Sequence, residues 1–231
     1  AITTMVMNIM GQEIDLLDQY PKSKRPIDDR ARMITEKHRA TARKFDVEFF
    51  DGDRLTGYGG YDYHPRFWKN TVRRIVDYYE LPQNSSVLDV GCAKGFMMYD
   101  MSLYRSDLEI QGIDVSAYAC IHAKEEMKPF IQTASANNLP FPDNSFDLVI
   151  AINTLHNLPL IDCKQAFREI MRVSRKHAFV MNDAWHDDDE KQAMLNWNLT
   201  ALTFMHVDAW RDLFDEVGYT GDYFWFIAAS E

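Results

Sequence analysis

The chain has 231 residues, of which 46% are apolar and 13% are aromatic. This length and composition suit one globular domain with an appended piece and exclude a disordered chain. The formal net charge of −10 disfavours non-specific binding to nucleic acid or to an anionic membrane surface. We therefore expect a small-molecule partner, and neither nucleic acid nor membrane.

The first residues and the cysteines bear on the compartment. Residues 1–20 carry no basic region and no uninterrupted apolar run, which predicts that there is no signal peptide. No stretch approaches the ~20 apolar residues of a membrane span. Cys92, Cys120 and Cys163 are widely spaced and form no metal-ligand cluster. These features predict a reduced, cytoplasmic protein without a metal site.

The N-terminal part, residues 1–65, is predicted to be a helical cap followed by a lid. Apolar residues at a spacing of three and four predict a helix over residues 4–20, and a second helix is expected over residues 27–45. Residues 22–44 hold nine Lys or Arg against three acidic residues. This basic stretch is either a solvated helix face or a surface near an anionic substrate.

The lid prediction rests on DGDRLTGYGGYDYHPRFW, residues 51–68. It holds four of the ten glycines of the chain, together with Tyr58, Tyr61 and Tyr63. Glycine-dense loops often cradle nucleotides, but this one leads into a helix that starts at Pro65. We interpret the loop as a lid or gate, and the alternative is a surface turn with packed tyrosines.

From residue 86 onward, short apolar runs alternate with helical segments. This alternation predicts an α/β fold for residues 66–231, with a Rossmann-like, doubly wound and mostly parallel sheet. Ligands of such a sheet bind at the carboxyl ends of its strands. The predicted strands are SVLDVG, LEIQGID, FIQTAS, FDLVIAI and HAFVMND, and the predicted helices span residues 95–104, 116–127 and 162–174.

The end of the chain predicts a truncated sheet edge. A helix is expected over residues 206–218, and about a dozen residues follow it. One strand, over residues 223–229, fits there, whereas two strands of normal length do not. We expect the N-terminal helices or a second subunit to cover this edge, so an oligomer through the cap or the edge stays open.

The turn in VLDVGCAKGF, residues 87–96, lies where an α/β sheet receives a nucleotide. A P-loop needs a lysine after its last glycine, whereas Lys94 precedes Gly95. A dinucleotide fingerprint needs glycine where Ala93 and Phe96 stand. Both phosphate-binding hypotheses are weakened by these residues.

Asp89, Gly91, Ala93 and Gly95 form the pattern D-x-G-x-(G/A)-x-G instead. It resembles motif I of the class I S-adenosylmethionine-dependent methyltransferases, and the chain is similar to their small-molecule, type 11-like members. Ala93 replaces the middle glycine that is usual in the family. The resemblance covers about residues 67–218 and implies S-adenosylmethionine as the cofactor, with S-adenosylhomocysteine as the product.

A second motif follows at the distance that the family has. Asp114 ends the strand in GIDVS, 23 residues after Gly91. The resemblance implies that the Asp114 carboxylate binds both ribose hydroxyls and that Val115 packs on adenine. The alternative for Asp114 is a turn or helix cap.

The third motif is SANNLPFPDNSFDLVIAINTLHNLP, residues 135–159, which is similar to the family's stretch around the fourth strand. The family usually has Asp at the adenine contact, where this chain has Ser135. The resemblance therefore implies that the adenine contact is made by Ser135, by Asn137 or by the backbone of Ala136. In addition, Tyr58 and Tyr61 of the lid are predicted cofactor contacts, because an aromatic face or hydroxyl near a sulfonium is favourable.

Methyl transfer mainly requires alignment and desolvation, and it requires a base only if the acceptor must lose a proton. His156 follows the fourth strand and is a candidate general base; the alternative is a histidine that packs or caps the turn. Asn153 lies at the carboxyl end of the same strand. It is a candidate for orienting the cofactor's amino group or the substrate.

Four residues are candidate substrate contacts. His64 and Arg66 follow the lid and are predicted to reach an anionic substrate, or else form a helix-start pair that faces water. His186 and Trp197 lie beyond the fifth strand, where the family commonly inserts elements that select the substrate. HDDDEK, residues 186–191, is interpreted as a negative helix start rather than a metal site, because consecutive side chains point in different directions.

Three functions stay open at this point. The first is a methyltransferase that acts on a small molecule, for which an anionic acceptor such as a sugar nucleotide or a carboxylate is one option. The second is a related enzyme that uses S-adenosylmethionine for a cyclising or alkyl-transfer reaction. The third is a non-catalytic domain that binds the cofactor.

Overall fold

A parallel sheet lies at the centre of the chain in a computed structural model, which describes residues 11–22 and 26–228. The strand order is β3-β2-β1-β4-β5, and β6 and β7 both pair with β5 at different heights. Every strand pairing in the described residues is parallel. The strands are β1 (Ser86–Val90), β2 (Glu109–Asp114), β3 (Ile131–Thr133), β4 (Phe146–Ile152), β5 (Ser174–Trp185), β6 (Met205–His206) and β7 (Asp222–Phe226).

Helices cover both faces of this sheet, which confirms the predicted doubly wound α/β fold. One core contains Phe167 of α7 and Trp210 and Phe214 of α9. The other contains Ile75 of α4 and Met98 of α5. The helices are α1 (Ile27–Met33), α2 (Glu36–Ala42), α3 (Val47–Phe50), α4 (Pro65–Tyr78), α5 (Phe96–Tyr104), α6 (Ala117–Ile121), α7 (Leu160–Val173), α8 (Asp188–Trp197) and α9 (Val207–Val217).

The first predicted helix, over residues 4–20, is wrong from Gly11 onward, and its residues 4–10 lie outside the described part. From Gly11 the chain is extended, and Glu13 forms a parallel bridge with Tyr223 of β7. The Ile14 N–H donates to the Tyr223 carbonyl at 2.9 Å. Pairing with a sheet edge satisfies these backbone groups, so tertiary contact overrides the helical spacing of the apolar residues.

Two other predicted helices are shorter than expected. The helix over residues 27–45 divides into α1 and α2, because Ile34 is extended and Thr35 starts a new helix with a capping box. The helix over residues 116–127 is only α6, five residues long. The loop over residues 51–62 contains no helix or strand, and α4 begins at Pro65, as predicted.

The truncated edge is confirmed within the described residues, where one strand, β7, follows α9. This strand runs parallel to β5. Its other side is covered by the extended segment around Glu13 and not by helices. None of the helices in the described part is long and apolar enough to cross a bilayer.

Asp222 anchors the N-terminal segment to this edge. Its Oδ1 accepts the Gln12 N–H at 2.7 Å and its Oδ2 accepts the Tyr79 hydroxyl at 3.0 Å. Tyr79 is buried, so Asp222→Ala leaves a buried hydroxyl without its partner. We expect the free energy of unfolding, measured in urea, to fall by about 1–3 kcal/mol.

The control for this prediction is Asp212→Ala, which removes an exposed carboxylate from α9. It should change the unfolding free energy by less than about 0.5 kcal/mol. An equal loss in both variants would show that Asp222 does not anchor the edge.

Candidate active site

The loop between β1 and α5 has three residues in the left-handed region of backbone space. Gly91 has φ +80, Ala93 has φ +49 and Gly95 has φ +75. A Cβ on Gly91 would lie 2.2 Å from the Thr154 Oγ1, so only glycine fits there. Ala93 carries its methyl group at a cost of roughly 1–2 kcal/mol, which explains why a glycine is usual at this position of the motif.

Asp114 at the end of β2 fixes this loop. Its Oδ2 accepts the Ala93 N–H at 2.8 Å, and its Oδ1 accepts the Ser116 N–H at 2.9 Å. Burial raises the pKa of Asp114, while these backbone donors oppose the shift. Val115 follows with 57% of its surface exposed, so an apolar side chain stands open beside the carboxylate.

Asp89 lies one strand away and is buried. Burial, and then the neighbouring charge of Asp114, raise the pKa of Asp89 to about 8. At neutral pH, Asp89 is therefore mainly protonated and can donate a hydrogen bond. Asp114, in contrast, accepts hydrogen bonds from two backbone N–H groups. Two acidic groups of different character thus stand at the carboxyl ends of adjacent strands.

The three predicted adenine contacts follow β3. The Ser135 hydroxyl donates to the Asn137 Oδ1 at 2.7 Å, and the Asn137 amide donates to Asp162 of α7 at 2.9 Å. Ala136 is buried between them. The side chains of Ser135 and Asn137 therefore form a fixed chain of hydrogen bonds beside Asp114, whose carbonyl accepts the Ala134 N–H at 2.9 Å.

Asn153 ends β4 in a left-handed conformation, with φ +52. Its N–H donates to the Met181 carbonyl at 2.8 Å, and the residue is exposed. An exposed amide at the carboxyl end of a central strand fits the position that the sequence predicted for it.

His156 is buried, with 4% of its surface exposed. Its Nδ1 accepts the Asp183 N–H at 2.9 Å, and burial lowers its pKa to about 3. The imidazole is therefore neutral with its proton on Nε2, and Nδ1 is occupied. These contacts match the alternative, a histidine that packs, because the Nδ1 lone pair is already used by the Asp183 N–H. The role of general base for His156 stays a prediction.

Asp183, at the end of β5, is a candidate that the sequence reading missed. Burial raises the pKa of Asp183 to about 7, and its Oδ1 lies 3.6 Å from the His156 Nδ1. The sequence did hold a signal for this residue: Asp183 is the last residue of the predicted strand HAFVMND, and ligands of a parallel sheet bind at the carboxyl ends of its strands. A buried carboxyl with a pKa near neutrality is suited to accept a proton.

The lid is tied to the glycine loop through Lys94. The Lys94 ammonium is buried, donates to the Tyr61 carbonyl at 2.9 Å and pairs with Asp51. The other Asp51 oxygen accepts the Tyr118 hydroxyl at 2.8 Å. The predicted lid therefore lies directly against the loop that carries motif I.

The lid tyrosines differ in what their hydroxyls do. Tyr58 donates to the Gly60 carbonyl, and Tyr63 donates to Asp100 at 2.6 Å. The Tyr61 hydroxyl is buried and has no hydrogen-bond partner in the part of the chain that the structure describes. Of the two tyrosines that were predicted to contact the cofactor, Tyr61 therefore has an unused polar group and Tyr58 does not.

His64 and Arg66 form the start of α4. The His64 Nδ1 accepts the Arg66 N–H at 3.1 Å, and the Arg66 guanidinium stacks over the Phe67 ring at 4.6 Å. Both residues are exposed. Their contacts match the helix-start alternative and do not join them to the glycine loop.

His186 and Trp197 flank α8. The His186 Nδ1 lies 2.9 Å from Glu190, and α8 begins within the acidic run, with Asp187 as its N-cap. Trp197 ends α8, and its ring and carbonyl contact Arg30 of α1. Only Trp197 of this pair is therefore joined to the N-terminal helices.

Residues 88–181 match the family described as "Methyltransferase domain". Demethylmenaquinone methyltransferase of Lactiplantibacillus plantarum is 30% identical over 142 residues, which are 58% of this chain and 57% of that protein. Ubiquinone/menaquinone biosynthesis C-methyltransferase UbiE of Hahella chejuensis is 30% identical over 151 residues, 62% of this chain and 58% of that protein. The chain spans between 31% and 60% of the length of the curated relatives that it matches.

The fold agrees with this match. The YcgJ protein from Bacillus subtilis superposes with a TM-score of 0.52 at 20% identity, and the match covers 63% of this chain and 66% of that one. Residues 88–181 are therefore similar to a methyltransferase domain, and the fold agrees with that similarity.

Lys94→Met tests the tie between the loop and the lid. The variant loses hydrogen bonds from a buried ammonium, each worth about 1.5–3 kcal/mol. Amide hydrogens of residues 51–63 should therefore exchange at least about tenfold faster with deuterium, as measured by mass spectrometry. Lys128→Met, which removes only a pair with Glu125, should leave this exchange unchanged, and protection retained in Lys94→Met would contradict the tie.

Asp183→Asn tests the buried carboxyl through the pH dependence of stability. Because the folded pKa of about 7 exceeds the unfolded value of about 3.9, ionisation of Asp183 lowers stability as pH rises from about 4 to 7. Asparagine cannot ionise, so the variant should gain up to about 3 kcal/mol more at pH 8 than at pH 4.5.

Urea unfolding at the two pH values measures this gain. Asp189→Asn replaces an exposed carboxylate of α8 and should show no such difference. A pH-independent effect of Asp183→Asn would mean that Asp183 is already ionised below pH 7 in the folded protein.

Proposed function

We propose that this protein transfers a methyl group from S-adenosylmethionine to a small-molecule acceptor. The observation that carries the proposal is the contact between Asp114 and Ala93, at 2.8 Å. It joins the motif I loop to the carboxyl end of β2, which is where the family binds its cofactor. The family match over residues 88–181 supports the same assignment.

The side chains at this site fit a nucleoside cofactor without a phosphate. Asp89 and Asp114 give it an acidic character, and Lys94, the cation of the loop, is already bound to Asp51 and Tyr61. A phosphate would meet carboxyl groups there, without a free cation from this loop. A ribose diol and an adenine ring suit a carboxylate acceptor that has an exposed apolar side chain, Val115, beside it.

The proposed cofactor-binding roles follow from these positions. Asp114 accepts the ribose hydroxyls, Val115 packs on adenine, and Ser135 with Asn137 contacts the adenine edge. Asn153 orients the amino group of the methionyl part. When bound, S-adenosylmethionine supplies a methyl group that is already activated on a sulfonium.

The remaining tasks are alignment, exclusion of water and proton transfer. We assign the exclusion of water to the lid, which Lys94 holds against the glycine loop. For an acceptor that must lose a proton, we propose Asp183 as the group that receives it, because its pKa of about 7 matches that task. The neutral His156 behind it holds its backbone in place.

Binding of S-adenosylmethionine, measured by calorimetry, tests the site. Asp114→Ala removes the acceptor for the ribose and for Ala93, so we expect at least about a tenfold loss of affinity. Glu109→Ala, at the exposed amino end of the same strand, should bind like the original protein. A protein that does not bind S-adenosylmethionine at millimolar concentration would refute the proposal.

The products of turnover separate methyl transfer from its alternatives. In incubations with S-adenosylmethionine and candidate acceptors, mass spectrometry should detect S-adenosylhomocysteine and an acceptor heavier by one methyl group. Methylthioadenosine would instead indicate an alkyl-transfer or cyclising reaction. Binding without any product in a broad acceptor panel would favour the non-catalytic domain.

A further inference from the structure

Three arginines of the N-terminal part converge near the end of α8. Arg30 of α1 stacks over the Trp197 ring at 4.6 Å, and its Nε donates to the Trp197 carbonyl at 3.3 Å. Arg39 of α2 donates from Nε to the Asn198 carbonyl at 3.1 Å. These contacts fix both guanidinium groups on the segment that follows α8.

Arg54, from the lid, belongs to the same cluster. Leu55, the next residue, packs in one apolar cluster with Ala42 of α2 and Leu199, which brings the lid next to the segment that Arg39 contacts. Burial lowers the pKa of Arg30, and the charge of Arg54 lowers it further. Arg54 also lies against Gly59, where a Cβ would be 2.4 Å from its Nη1. The glycine-rich lid thus gives Arg54 the space that it occupies.

This arginine cluster, Arg30, Arg39 and Arg54, is poorly neutralised. Arg39 pairs with Glu36, whose side chain is 80% exposed. Within the residues that the structure describes, Arg30 and Arg54 make no ion pair with an acidic side chain. Arg30 and Arg39 are half-buried, and like charges held together in such a position are destabilising unless an anion joins them.

A second, independent observation lies beside the cluster. The Tyr61 hydroxyl is buried and without a hydrogen-bond partner in the described residues. It lies against Gly57 of the lid, three residues from Arg54, because a Cβ on Gly57 would be 2.2 Å from it, and Tyr61 raises the pKa of Arg30. The Tyr61 carbonyl is bound by Lys94 of the motif I loop at 2.9 Å. The cluster, an unused hydroxyl and the cofactor loop are therefore connected through one residue.

We propose that the arginine cluster binds an oxyanion of the methyl acceptor, a phosphate or a carboxylate, and that Tyr61 donates to the same group. This inference rests on the proposed function for the identity of its occupant. Guanidinium groups bind both kinds of oxyanion through paired N–H donors. The basic cap then attracts the charged end of the acceptor, while the acidic strand ends disfavour it near Asp114.

The experiment uses inorganic phosphate, pyrophosphate and malonate as probes, at constant ionic strength set with chloride. Each is titrated into the protein saturated with S-adenosylhomocysteine, and binding is followed by calorimetry and by the thermal unfolding midpoint. We expect at least one probe to bind and to raise this midpoint. A preference for phosphates or for malonate identifies the oxyanion of the acceptor, and either preference supports the proposal.

Arg54→Gln is the decisive variant, because Arg54 is exposed and a surface substitution of this kind is expected to change stability by less than about 0.5 kcal/mol. It should weaken probe binding at least about tenfold, as expected for the loss of a charged hydrogen-bond donor. Without a probe, it should be at least as stable as the original protein, because a repulsive charge is gone. Arg168→Gln, an exposed arginine of α7, should keep the original affinity.

Two results would overturn the inference. One is the failure of all three probes to bind, and the other is an equal effect of Arg54→Gln and Arg168→Gln. S-adenosylmethionine affinity, measured on the same samples, separates the two proposals. Intact cofactor binding without anion binding removes only the arginine site, whereas loss of cofactor binding in the original protein removes the proposed function.

Discussion

The hydrogen bond from the Ala93 N–H to the Asp114 carboxylate, 2.8 Å long, connects the two strand ends from which the site is built. It holds Ala93 in a left-handed conformation that an alanine avoids elsewhere. The glycines on either side then turn the chain from β1 into α5. The backbone donors of this loop favour the ionised form of Asp114 and oppose the effect of burial on its pKa, so loop geometry and the charge of this carboxyl are coupled.

The same loop also positions the N-terminal part of the chain. Lys94 pairs with Asp51 and donates to the Tyr61 carbonyl. One short loop thus contacts Asp114 through its backbone and the lid through its single cation. In the function that we propose, the carboxyls at the strand ends and the arginines of the cap orient an anionic acceptor before any specific contact forms.

The local pattern of apolar, glycine and proline residues predicted the sheet, the motif loop, the start of α4 and the single terminal strand. Each of these elements is determined by residues that are close together in the sequence. It did not predict the pairing of Glu13 with Tyr223, the stacking of Arg30 on Trp197 or the link from Lys94 to Asp51. These contacts join residues far apart in the chain, and no periodicity records them. For His156, the sequence indicated a titratable side chain after the fourth strand, but it did not indicate where the ring points. Only the packed structure shows that Nδ1 faces the Asp183 N–H.

Asp89, Asp114 and Asp183 share one physical property, a pKa raised mainly by burial. Burial of such a carboxyl opposes folding once the group is ionised. All three stand at or near the carboxyl ends of parallel strands, and their unfavourable burial is confined to that edge of the sheet. Folding alone does not require this concentration of acidic groups at one edge, and it agrees with the proposed site, in which these groups face a cationic cofactor and accept a proton.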